Sequence, residues 1–147
     1  MDLFKWAVIL QLLLLLYFEA ITLLNLYPWN DLSKYSLREK LIEATVNGAI
    51  IIFNAVLFIT KVKWLMMISV VFWFFYLLMQ LLTWWIPYLT GQHLKQFPRT
   101  LYDTHFRETI KLLPPIKDHI IPDAQHNVLQ ILSLITLIVS MLSAVGW

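Results

Sequence analysis

The sequence has no cysteine, only three glycines and few charges. Asp, Glu, Lys and Arg make up 14% of it, against about 25% in an ordinary soluble domain. Without cysteine there is no disulfide, no thiolate nucleophile and no Cys-ligated zinc. Gly48, Gly91 and Gly146 stand too far apart to compose a phosphate-cradling loop, and no Gly-x-Ser-x-Gly elbow occurs. A net charge of +2, scattered along the chain, leaves no electrostatic footprint for nucleic acid. Internal repeats and low-complexity linkers are also missing.

What is present is apolar. Of 147 residues, 60% are apolar and 15% aromatic, which is room for one domain. A soluble fold of this size would leave much of that surface in water, and a bilayer removes the problem. Four segments are long enough to cross a hydrocarbon core of about 30 Å, which takes about 20 residues. They run over about 3–27, 37–60, 64–87 and 123–146. The first continues past Tyr17 toward Tyr27-Pro28-Trp29 with no small-residue cleavage site, so it reads as a permanent helix rather than a signal peptide. Ser36-Leu37-Arg38-Glu39 has the capping-box pattern of a helix start, and Asp123 after Pro122 is a candidate N-cap. Lys61-Val62-Lys63 is short enough to make segments two and three a tight antiparallel hairpin.

The connection from Tyr88 to Pro122 is the one sizeable stretch outside the spans. Within 101–113, Tyr102, Phe106, Ile110 and Leu113 follow helical spacing while Asp103, Arg107, Thr104 and Glu108 fall on other faces. This predicts an interfacial amphipathic helix ended by Pro114-Pro115. The prolines that follow would stiffen the approach to segment four and carry Asp118 and His119 over the bundle mouth. The expected fold is therefore all-α: an integral membrane four-helix bundle with a short amphipathic interfacial helix between helices three and four.

Aromatic residues mark the two interfaces, with Trp6, Trp64 and Trp147 at one and Tyr27, Trp29, Trp84, Trp85 and Tyr88 at the other. Basic residues suggest an orientation. The face with both long loops carries Lys34, Arg38, Lys40, Lys95, Arg99, Arg107, Lys111 and Lys117, and the opposite face Lys5, Lys61 and Lys63. Eight against three places the long loops in the cytoplasm of a multi-pass protein of the cell membrane.

Amides and acids inside a span are costly unless they face protein or water, so their positions carry the functional evidence. Gln11, Glu19, Thr22 and Asn25 fall within about a third of one helix circumference at 100° per residue, and Glu43, Asn47 and Asn54 within about 40°. Tyr76, Gln80 and Thr83 share a face in the third segment. In the fourth, His126, Gln130 and Ser133 continue from Asp123, with Thr136, Ser140 and Ser143 beyond. Glu19 lies roughly 12 Å from the end of its span by helical rise, and Gln80, Glu43, His126 and Gln130 fall in the same half. The four stripes are expected to converge beneath the long loops.

Glu19, Glu43, Asn47, Gln80, Asp123, His126 and Gln130 are the candidate ligand-binding residues. For the amides and hydroxyls a plain register-fixing network is the competing reading, at about 0.6 kcal/mol per contact. His105 with Glu108, and Asp123 with His126, have ligand spacing on a helix, but neither is a specific metal motif, and no metal or cofactor is expected. Three function classes remain. The first is a bundle that binds a lipid, a small ligand or a partner transmembrane helix, or pairs with its own copy. The second is a membrane enzyme on a lipid or isoprenoid, with Glu19, Glu43 and His126 as acid–base or metal-binding groups. The third is an oligomeric channel or proton-coupled transporter. The lack of a recognisable catalytic constellation favours the first.

Overall fold

The computed structural model describes residues 2–147. Five helices follow one another: α1 (Leu3–Leu23), α2 (Leu37–Ile59), α3 (Lys63–Thr90), α4 (Arg99–His105) and α5 (Ala124–Gly146). All but α4 are long and apolar enough to cross a membrane. The shortest of those, α1 with 21 residues, measures about 31 Å at 1.5 Å per residue. The fold is the all-helical, four-span bundle that the composition implies.

The four spans form a ring. α1 packs on α2, α2 on α3, α3 on α5 and α5 back on α1, while the backbones of the diagonal pairs stay apart. Gln11 of α1 meets Ser140 of α5 and Tyr17 meets Gln125, so these two helices run antiparallel, as do the others. Large apolar residues turn outward, among them Leu16, Phe53, Phe75 and Ile131, all more than half exposed. Such a surface suits lipid.

The starts of the helices are the expected ones. The Glu39 amide donates to Ser36 Oγ at 3.2 Å and the Ser36 amide donates to the Glu39 carboxylate at 2.8 Å, completing the capping box of α2. Asp123 caps α5. The ends differ. α1 stops at Leu23, short of Tyr27, because buried Asn30 donates its side-chain amide to the carbonyls of Ile21 and Leu24 at 2.7 and 2.9 Å. That amide satisfies acceptors which a helix terminus otherwise leaves open. α3 runs through Pro87 to Thr90 and ends on Gly91, whose φ of 75° lies in the left-handed region. A Cβ at Gly91 would also come within 2.9 Å of His119 Nε2, so both backbone and space call for glycine.

The interfacial helix is shorter than its periodicity predicts. It spans Arg99–His105 rather than 101–113, because the chain after Phe106 takes other partners. The Lys111 ammonium donates to the carbonyls of Phe106 and Thr109. The Ile110 amide donates to Pro28 O at 3.0 Å, and the Ala124 amide donates to Ile110 O at 2.8 Å. These bonds lace the two long loops to the start of α5. Asp118 and His119 do not lie over the mouth. Arg99 donates to Asp118 Oδ1 at 3.0 Å, and His119 Nδ1 pairs with Tyr88 O at 2.7 Å, back at the end of α3.

The bundle axis is filled by two apolar clusters, Leu14, Phe18, Ile51 and Trp73 toward the loops and Ala7, Phe58, Met66 and Ala144 toward the termini. A third, of Trp84, Phe97, Tyr102 and Ile120, caps the bundle under the long loop. Between the first two lie buried polar residues from every span, Gln11, Asn54 and Ser69 from α1, α2 and α3 and Ser133, Thr136 and Ser140 from α5, none more than 2% exposed. Gln11 follows Ala7 and precedes Leu14, Asn54 lies between Ile51 and Phe58, and Ser69 between Met66 and Trp73, so packing puts them on one level. Gln11 Nε2 donates to Ser140 Oγ at 3.2 Å, while Gln11 Oε1, both polar atoms of Asn54 and Ser69 Oγ have no protein partner among the described residues.

Candidate functional site

The site begins with the turn that opens α5. Proline at 122 and aspartate at 123 place a carboxylate at the N-cap, where it accepts from the His126 amide at 3.0 Å. Asp123 is fully buried and its carboxylate is saturated. Oδ1 also meets His126 Nδ1 at 2.6 Å, and Oδ2 accepts from Thr109 Oγ1 at 3.1 Å and Gln125 Nε2 at 3.3 Å. Burial pushes against its charge. The His126 ring and amide, with the Lys111 ammonium, outweigh that and hold its pKa below the usual carboxylate value. Lys111 pays with a pKa lowered by its own burial.

An ionised carboxylate only accepts, so the Nδ1 of His126 carries the proton in this contact. The imidazole is clamped by aromatics. Its centroid lies 4.2 Å from that of Trp84 and 5.4 Å from that of Phe106. The side chain stays 20% exposed, and Nε2 has no protein partner among the described residues.

That exposed part lines a cavity of about 70 Å³ on the side of the long loops. Phe18, Ile21 and Thr22 of α1, Asp31, Leu32 and Tyr35 of the first loop, Lys40 and Glu43 of α2, Phe106, and Gln125, His126 and Leu129 of α5 enclose it. Tyr17 Oη donates to Gln125 O at 2.8 Å and ties α1 to α5 beside it. The Tyr35 ring lies 4.2 Å from His105, and burial raises its phenol pKa. The hydroxyl and amide of Ser33 keep Asp31 below the usual carboxylate value. Two acids, a lysine and an aspartate-held imidazole thus share one small cavity.

No family model, no curated protein and no solved structure matches the chain. Its chemistry must therefore be read from its own residues.

Of the seven sequence candidates, the structure brings together Glu43, Asp123 and His126. Asn47 bonds within its own helix, its amide donating to Glu43 O at 3.1 Å. Gln80 and Gln130 cross-link α3 and α5 below the cavity. Gln80 Nε2 donates to Ser133 Oγ at 3.0 Å, and Trp85 Nε1 donates to Gln130 Oε1 at 2.8 Å. Glu19 is not in the mouth at all. It lies about 100° around α1 from inward-facing Phe18, in a groove on the outer side of the α1–α2 pair. Among the described residues no group of three or more His, Asp or Glu is arranged to hold a metal ion.

Sequence reasoning missed Asp31, Tyr35, Lys40 and Thr109. The first three sit beside the capping box of α2, and a polar loop flanking a candidate site was the available signal. Thr109 gave none, because its partner is fixed by the Ile110–Ala124 hydrogen bond across the loops.

Proposed function

We propose that the protein is a membrane-embedded binding protein whose loop-side mouth holds the polar head of a zwitterionic lipid. The observation that carries this reading is the Asp123–His126 pair, which fixes one ring nitrogen and leaves the other beside a cavity shared with Glu43, Asp31 and Lys40. Cationic and anionic groups side by side complement a head that bears both charges. A cavity of about 70 Å³ admits one charged end of such a head, with the rest of the head at the loop surface and the acyl chains left in the bilayer. The filled bundle axis weighs against a pore through a single copy. The excess of basic residues on the long loops supports a cytoplasmic position for the mouth.

The test is titration of the detergent-solubilised protein with dihexanoylphosphatidylcholine, read by calorimetry. Wild type is expected to bind. His126→Ala and Glu43→Gln are each expected to weaken binding about tenfold, the worth of one charge-assisted hydrogen bond. Equal affinity in all three proteins would remove the mouth as the binding site.

The same pair favours a second reading, in which His126, oriented by Asp123, takes a proton from a water that attacks an ester of the bound lipid and returns it to the departing alcohol, releasing the acid. Slow release of acid from the lipid, abolished in His126→Gln while binding persists, would select that reading.

A further inference from the structure

Glu19 is an acid within a span that neither the mouth nor a helix cap uses. Its groove, of about 390 Å³, is lined by Leu23, Leu41, Thr45, Gly48 and Ile52 besides Glu19 itself, and it opens toward the surrounding lipid. The carboxylate rests over Gly48, occupying the space where any side chain at 48 would begin. Among the described residues no donor or cation reaches it. A carboxylate beside lipid without a partner is costly, and an apolar groove that carries one complements a molecule with a cation at one end and a hydrocarbon chain behind it. The volume falls within the range of small-molecule sites, about 300–1,000 Å³.

We propose that the α1–α2 groove is a lateral site for a membrane amphiphile with an ammonium head, the cation on Glu19 over Gly48 and the chain along Leu23, Leu41 and Ile52. This site is separate from the mouth and does not depend on it. Gly48 is the specificity device: its missing side chain lets the carboxylate lie back against α2 and leaves room for the ammonium in front.

The test uses the full chain reconstituted in phosphatidylcholine vesicles. They carry a trace of nitroxide-labelled octadecylamine or, in parallel, the labelled alcohol of the same length. Electron paramagnetic resonance reads the protein-immobilised fraction of each. Wild type should hold the amine about fivefold better than the alcohol, the worth of one partly exposed ion pair. Glu19→Gln should bring the ratio to about one. Gly48→Ala should lower it while keeping the charge, and so carries the test if Glu19→Gln fails to fold. Parity in wild type, or a preference that survives Glu19→Gln, overturns the site. A preference abolished by Glu43→Gln but not by Glu19→Gln also overturns it, by moving the amine to the mouth.

Discussion

Asp123 and Glu19 are both acids on the loop-side half of the bundle, and the protein treats them in opposite ways. Asp123 is wholly buried and accepts from a threonine, a glutamine, a backbone amide and an imidazole. Glu19 is partly exposed and accepts from none of the described residues. The first is a structural anchor that also orients the His126 ring. The second has no partner among the described residues, which is what the proposed lateral site rests on. Saturated buried acids hold a fold together, and an unsaturated one in a groove between two spans is costly to keep.

The contrast is broken most directly by removing each acid. Asp123→Ala takes away the cap of α5 and strands His126 and Thr109, and should cost about 3–5 kcal/mol, the range for breaking a buried pair. Glu19→Gln removes an unpartnered carboxylate and should leave stability unchanged or raise it. Chemical unfolding in detergent measures both, and similar losses would erase the distinction.

Acid sharpens it next. Since the Asp123 pKa is lowered in the folded protein, its contribution is present above the ordinary aspartate value of about 3.9. It is lost as pH falls through the lower folded value. Wild-type melting temperature in detergent should hold to about pH 4 and then drop, whereas Asp123→Asn should start lower and lack that limb. A drop of equal size in both would assign the limb to other acids.

The smallest effect concerns Gly48. Alanine there gains about 1 kcal/mol of helix propensity but meets the Glu19 carboxylate. Gly48→Ala should therefore be neutral or destabilising in wild type and stabilising by about 1 kcal/mol in a Glu19→Ala background. No difference between the two backgrounds would mean that the carboxylate does not rest where the structure puts it.

Much of the fold was legible because four uninterrupted apolar runs leave few alternatives in a chain of this length. The boundaries were less so. The end of α1 is set by Asn30 reaching back nine residues to Ile21, and the end of α4 by bonds from Lys111 and across to Pro28. Periodicity within a helix contains neither. The candidate site divided in the same way. Asp123 and His126 were readable because they are three residues apart on one helix start. Glu19 was misplaced because a stripe a third of a circumference wide includes residues on the flank as well as the face. Only packing against α2 decides which side the flank sees.

The ring of helices also has a temporal meaning. α1, α2 and α3 pack in sequence order, and the circle closes when α5 docks against both α1 and α3. That helix carries Gln125, Gln130, Ser133 and Ser140, which pair with groups on its two neighbours or on its own cap. During synthesis the amides of Gln11 and Gln80 and the indole of Trp85 therefore wait in the bilayer for their α5 partners. α5 is the keystone, and a ribosome that stalls before making it leaves behind a three-helix intermediate marked by those waiting donors.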